Sequence, residues 1–346
     1  MLLKRVVWIM TDKSILLIDV DSQIPNLALM KLYSYFNTNG YHIDFKKLNR
    51  SYFSRHNEKI IIDASDYEKV FVSVIFSNNK NIVKVENCDD VVYGGVGYDY
   101  TIKLPEEIDC QKEDYSIYPD SKYSYGFITR GCIRNCEFCI VPKSEGRIYK
   151  YRNIDDIIQH KQVKFLDNNI LAYKDHESIL QELIDKKIKC QFNQGLDIRL
   201  INERNALLLS KLNYIGEYIF AFDDVKNKKV IENKLAIVKK YITSDWRLKF
   251  YLYCHPSMDI KNDVVYRVEW CRENKVLPYL MRNRSCWESD YKGFYIDLCA
   301  WCNQPHLFKK MTFEEFMQKR TKNVNRIETN IKLYNGIDVD EQLKWW

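Results

Sequence analysis

Apolar positions recur along the chain with two spacings. Residues 15–20 form an apolar run of strand length, and Pro25-Asn26 then opens a pattern through Leu27, Leu29, Met30, Leu32, Tyr33 and Phe36. A return every three to four residues marks one face of a helix, and Asn39-Gly40 supplies its stop. Further strand-length runs fall at 41–45, 59–63, 70–75 and 90–97, the last entering the turn Gly94-Gly95-Val96-Gly97. This alternation predicts a small doubly wound, Rossmann-like α/β domain over 1–104.

Residues 105–124 are rich in acids, prolines and tyrosines without a period, which predicts a linker. From Tyr125 the alternation resumes. Strands are expected at 125–129, 163–166, 189–192, 218–222, 249–253 and 276–280, and helices between them at 153–160, 175–186, 202–212, 226–241 and 261–273. Several of these helices begin at Asp or Asn, the residues that cap helix starts. Consecutive βα units with right-handed crossovers predict a partial, open (β/α)6 barrel over 125–284. The remainder, 285–346, reads as a helical extension, with the capping box Thr312-Phe-Glu-Glu315 opening a helix over 311–334.

Composition narrows the class only a little. With 46% hydrophobic and 29% charged residues in 346, the chain has the usage of a folded protein. Lys and Arg outnumber Asp and Glu by 53 to 47 with no block of like charge, so a solvated surface is the plain reading and a nucleic-acid footprint the alternative. The 25 tyrosines suit strands and name no ligand. Residues 1–10 are interrupted by Asp12 and Lys13 before any leader or membrane-spanning length develops. Together with eleven cysteines, this places the chain in the reducing cytoplasm, with no membrane partner, where thiols bind metals or lie buried.

Three of those cysteines stand apart. The segment from Gly126 to Cys139 spaces Cys132, Cys136 and Cys139 by four and then three residues directly after the first predicted barrel strand. Chemistry on such barrels gathers at the C-terminal strand ends. Three thiolates on one loop can ligate three irons of a four-iron cluster and leave the fourth iron open. A structural zinc would want four ligands, commonly in two pairs, and the loop has no histidine. Zinc and three unligated buried thiols are the competing readings.

The CxxxCxΦC pattern, with Phe138 before the third cysteine, resembles the signature of the radical S-adenosylmethionine (SAM) superfamily over about residues 125–284. That resemblance implies a [4Fe-4S] cluster whose open iron chelates SAM, reductive cleavage to methionine and a 5′-deoxyadenosyl radical, and hydrogen abstraction from a second substrate. A low-potential electron donor of the flavodoxin or ferredoxin kind is implied as partner. It further implies Phe138 near the adenine. Asp167, Asn168 and Asn169 stand at the second strand end, where the family commonly has Gly-Gly-Glu for the SAM amino group. After the third strand, Asn193, Gln194, Asp197 and Arg199 are candidates for the ribose and carboxylate, with a surface ion pair the plain alternative for Asp197 and Arg199. Asp223 and Asp224 end the fourth strand, as ribose contacts or, for Asp224, a helix cap. Tyr253 and His255 end the fifth strand near the adenine, His255 chiefly as a structural group.

The front domain resembles the cobalamin-binding-type domain that precedes many such barrels, including methylthiotransferase-like members. It lacks a DxHxxG histidine, so a histidine-ligated cobalamin is disfavoured and the domain reads as a degenerate relative. Cys286, Cys299 and Cys302 are open to two readings, an auxiliary cluster or packing on a helix over 297–308. Methylthiotransferases would bring more cysteine ligands in the front domain than Cys88 and Cys110, and a β-barrel RNA-binding tail. Cys190, Cys254 and Cys271 receive no role. The expected substrate class tilts toward a nucleotide or nucleic acid. Cobalamin-dependent methyl transfer and methylthiotransferase-like RNA modification are the alternatives among enzymes, and an iron–sulfur or zinc sensor is the alternative outside them.

Overall fold

The computed structural model describes residues 14–49 and 59–339. The leader reading of 1–10 falls outside them. Two compact units emerge. The first runs to Gly126 and includes Asp155–His160, and the second takes Phe127–Ile154 and everything from Lys161.

The first unit contains β1 (Ser14–Asp19), α1 (Leu27–Thr38), β2 (His42–Lys47), β3 (Ile60–Asp63), β4 (Lys69–Ser73), β5 (Val83–Glu86), β6 (Val91–Gly94), α2 (Glu106–Asp109) and β7 (Ser124–Gly126). Strands β2-β1-β4-β6 form one sheet, all parallel. Alternation along β1 sends Ile15 and Leu17 to one face, where Leu29 and Leu32 of α1 and Ile108 of α2 pack. Leu16 and Ile18 point to the other face and meet Ile62 and Val83 from the separate parallel pair β3-β5. The expectation of a doubly wound sheet is corrected here. Among the described residues helices line one face, and a two-stranded layer covers the second. Strand β5, with Val83 and Val85 two apart, has no counterpart among the expected strands. Residues 105–124, expected as a linker, supply α2, and Tyr118 donates from its hydroxyl to Asp19 Oδ2 at 2.8 Å.

Polar groups beyond the ends of β1 and β4 satisfy one another. Asn26 caps α1 by accepting from Leu29 N and donates to the hydroxyls of Ser22 and Ser73. Asp21 accepts from Ile75 N, Phe76 N and Asn79 Nδ2. Gly95 is positive in φ and approaches Val74 so closely that a Cβ would lie 2.3 Å from its carbonyl oxygen.

The second unit starts with β8 (Thr129–Arg130), α3 (Val141–Ser144) and β9 (Tyr149–Lys150), followed by α4 (Ile154–Ile157), which runs into the segment grouped with the first unit. It continues through β10 (Gln162–Phe165), α5 (His176–Asp185), β11 (Lys189–Phe192), α6 (Glu203–Lys211), β12 (Asn213–Tyr214), β13 (Tyr218–Ala221), α7 (Lys228–Tyr241), β14 (Leu248–Cys254), α8 (Tyr266–Glu273) and β15 (Leu277–Arg282). Strands β10-β11-β12 and β13-β14-β15 pair in parallel, and the bridge Leu196–Phe220 links the two sets. Five of the expected barrel strands thus run in chain order, each entering a helix on the C-terminal side of its strand or closing the set. The expected first strand, 125–129, divides into β7 and β8, and the expected helix 153–160 is the single turn α4.

Helices α9 (Lys292–Cys302), α10 (Pro305–Lys310), α11 (Phe313–Arg320) and α12 (Val324–Asn335) complete the chain as described. The Thr312–Glu315 capping box is formed. The single helix expected over 311–334 is broken near Thr321, where Asn323 caps a new start. Buried Asp297 on α9 accepts from Arg326 at 2.7 and 2.8 Å and from Asn330 at 2.9 Å, fastening α12. No described helix is long and apolar enough to cross a membrane.

Candidate functional site

The cysteine loop leaves β8 through Gly131, whose φ is +79°. A Cβ there would lie 2.4 Å from the Arg147 carbonyl oxygen, so the loop needs glycine both for its turn and for its close approach. Strand β9 returns antiparallel to β8, with Arg130 opposite Tyr149, and Cys132 N donates to Gly146 O at 3.1 Å. Glu145 gathers the loop. Its carboxylate accepts from Arg130 Nε and Nη2, from Gly131 N and from Asn168 Nδ2, all at 2.7–2.9 Å.

Cys132, Cys136 and Cys139 are all partly exposed and unpaired. Burial, with the neighbouring thiols adding to it, raises the Cys136 and Cys139 thiols above their ordinary range. Among the described residues no three His, Cys, Asp or Glu side chains close around a point that a single metal ion would fill. A mononuclear zinc needs sulfurs about 2.3 Å from one centre, whereas an iron–sulfur cluster is a wider body with several metal atoms. Three free thiols on one loop, with no histidine among them, are the donor type that iron–sulfur clusters take.

The strand ends bring most of the predicted residues to this loop. Beyond β10, Asn169 donates from Nδ2 to Cys132 Sγ at 3.5 Å, while its Oδ1 is buried with no hydrogen-bond partner. An orphaned buried acceptor is costly, and an ammonium group beside the cysteines would satisfy it. Asp167 is spent inside the protein, accepting from Ile128 N, Thr129 N and Thr129 Oγ1. Burial outweighs those donors and pushes its carboxyl up to about 6. Asn168 serves Glu145.

Beyond β11, Asp197 is buried and accepts from Arg199 Nε at 2.7 Å and Nη2 at 3.0 Å, and from Arg134 Nε at 2.8 Å. Burial would raise its carboxyl, but the two guanidiniums hold it below the usual carboxylate range. The surface-pair reading of Asp197 and Arg199 gives way to a buried carboxylate with two arginines. Arg199 also senses Cys136 and Asp223. Gln194 is exposed, and the Asn193 carbonyl accepts from the Tyr251 hydroxyl. Asp223 accepts from Tyr253 N at 2.9 Å, and burial raises its carboxyl. Asp224 takes the capping role, accepting from Lys226 N. The Tyr253 ring stacks on Phe138 with centroids 4.0 Å apart and planes 12° from parallel. His255 is partly exposed and its ring bonds within its own turn, to Ser257.

Three further contributors have little or no sequence signal. Glu145 and Arg134 lie within or just after the cysteine motif, and only the density of charge around it hints at them. Fully buried Arg267 on α8 donates to the carbonyls of Phe222 and Tyr253 and to Asp263, binding together the ends of β13 and β14 that present Asp223 and Tyr253.

The other cysteines separate into different settings. Cys286 and Cys254 approach to 3.8 Å between sulfurs, although the sequence pattern assigns Cys254 no role. Cys299 accepts from Asn303 Nδ2, and Cys302 donates to Asn303 Oδ1. Cys88 and Cys110 belong to opposite faces of the front sheet, Cys88 packing beside the β3-β5 layer and Cys110 capping α2.

No family model matches the chain. It is similar to a tRNA-2-methylthio-N(6)-dimethylallyladenosine synthase of Sulfurihydrogenibium sp., at 25% identity over 244 residues, 58% of this chain and 53% of the relative. It is also similar to the ribosomal protein uS12 methylthiotransferase RimO of Petrotoga mobilis, at 27% identity over 147 residues, 38% of this chain and 30% of the relative. The chain thus spans about half the length of the first relative and less of the second.

Proposed function

We propose that the chain is a radical SAM enzyme in which Cys132, Cys136 and Cys139 hold a [4Fe-4S] cluster and the adjoining strand ends hold SAM. The observation that carries the reading is the docking of the cysteine loop on two separate strand ends, through Arg134 to Asp197 and through Phe138 to Tyr253. Similarity to two enzymes named as methylthio-transferring supports it. Bound there, the cluster and SAM supply one-electron cleavage of a carbon–sulfur bond and a carbon radical that removes hydrogen from substrate.

The protein's own residues bind and orient. Asn169 Oδ1 accepts from the SAM amino group, and Arg199 and Arg134, fixed by Asp197, offer guanidinium charge to a carboxylate. Phe138 and Tyr253 offer a flat apolar surface to the adenine, and Asp223 an acceptor for ribose hydroxyls. Glu145 and Gly131 hold the loop's exit so that the three thiols keep their spacing. Electrons come from a flavodoxin-like or ferredoxin-like donor, and the substrate is nucleotide-containing.

Anaerobic incubation of reconstituted protein with SAM and dithionite tests this. Methionine and 5′-deoxyadenosine in equal amounts are expected, and none from Cys136→Ala. S-adenosylhomocysteine among the products would favour methyl or methylthio transfer, the second reading that the named relatives support. Absence of SAM turnover by iron-loaded protein would refute both.

A further inference from the structure

Charge is unevenly placed. Segment 127–154 holds six basic residues, Arg130, Arg134, Lys143, Arg147, Lys150 and Arg152, against two acidic ones, Glu137 and Glu145. Four of the chain's six net positive charges therefore fall in 28 residues that also contain the three loop cysteines. Two of the cations are consumed internally, Arg130 by Glu145 and Arg134 by Asp197, each at 2.8 Å. Lys143 and Arg147 are exposed, and neither forms an ion pair among the described residues. Beside them Tyr149 is 46% exposed, and Ile140 leads into the same turn at 41%.

The backbone fixes where this group lies. Strand β9 pairs Tyr149 with Arg130, the residue before Gly131, and Cys132 N is bonded to Gly146 O, the residue before Arg147. Arg147 and Tyr149 thus flank the first cysteine across a hairpin only a few ångströms wide, and Lys143 stands on α3 in the same connection, four residues before Arg147.

We infer that Lys143, Arg147 and Tyr149 form a docking rim for single-stranded RNA at the mouth of the cysteine site. The inference rests on the proposed reading in taking that site as the place of chemistry. Two unneutralised cations suit successive phosphates, and an open aromatic face beside them suits a base, the combination by which proteins hold unpaired strands. A base presented to the partly enclosed cysteine site must leave its stack, so an unpaired region is the form that fits. An acidic peptide would use the cations but leave the Tyr149 ring without a flat partner.

Fluorescence anisotropy of the full chain with a short fluorescein-labelled single-stranded RNA tests the rim across a series of salt concentrations. Lys143→Glu with Arg147→Glu should weaken binding at least tenfold at low salt. The slope of log K against log salt should fall by about 1.4, the value for two lost phosphate contacts on a single strand. Tyr149→Ala should weaken binding about tenfold while leaving that slope unchanged. The control pair Lys229→Glu with Lys322→Glu, on exposed residues outside the segment, should change both far less. If charge reversal lowers the melting temperature, the milder pair Lys143→Gln with Arg147→Gln should reproduce the slope change.

Equal weakening by the rim and control pairs would overturn the inference. So would loss of binding to an acidic peptide with RNA binding retained. The titration uses no SAM and no reductant, so its failure leaves the SAM-cleavage result standing, and failure of SAM cleavage leaves the RNA result standing.

Discussion

The ring of Phe138, inside the cysteine loop, lies flat on the ring of Tyr253 at the end of β14, 4.0 Å between centroids. Loop and strand are far apart in sequence, and this contact gives the loop a fixed seat. Stacked aromatic pairs contribute about 0.5–1.5 kcal/mol beyond area burial. A double-mutant cycle of Phe138→Ala and Tyr253→Ala in thermal unfolding should return a coupling energy of that size. The Asn283–Tyr253 hydrogen bond keeps the tyrosine ring oriented. Additive single effects would show that the rings do not support each other.

Gly131 should tolerate no side chain. Alanine there needs a positive φ and places its Cβ against the Arg147 carbonyl, so Gly131→Ala should displace the start of the loop. Iron content after anaerobic reconstitution should fall well below wild type. Gly146, also positive in φ but with open space where a Cβ would stand, provides the comparison, and Gly146→Ala should retain most of its iron.

Glu145→Gln keeps shape but removes charge from an acceptor serving Arg130, Gly131 and Asn168. An amide nitrogen would then face at least one of these donors. The expected cost is about 1–3 kcal/mol, read as a lower melting temperature, with reduced iron loading. A variant as stable as wild type would contradict the role given to Glu145.

Legibility in the sequence varies with the kind of interaction. Strands β13 and β14 are visible because each is a short, mostly apolar run bounded by turn residues, and the cysteine triad because its spacing is local. The capping box at Thr312 is also legible, since its two partners are three residues apart. Strand β5 is not, because four residues with two valines give almost no period. Asp167 looks like a cofactor ligand by position, yet its carboxylate is occupied by Ile128 and Thr129, partners about forty residues upstream. Arg267 reads as one more charge on a helix, and its task depends on two carbonyls that folding alone brings together.

Asp197 supplies a pH test. Its folded pKa is below the unfolded value, near 3.9, so the carboxylate and its two arginines stabilise the fold throughout the range above about pH 4. That contribution is lost as pH falls through the folded pKa. Asp197→Asn should therefore be less stable than wild type at pH 7, with the gap closing in acid below about pH 4. A gap that widened in acid would show that the arginines do not control this carboxyl.

The central claim is that three thiols of one loop hold a cluster with a metal position left for SAM. Electron paramagnetic resonance of the anaerobically reconstituted, dithionite-reduced chain addresses it most directly. About four irons per chain and a reduced-cluster signal whose g-values move on addition of SAM are predicted, with both lost in Cys132→Ala. Bound zinc in place of iron, or a cluster signal identical with and without SAM, would contradict the account.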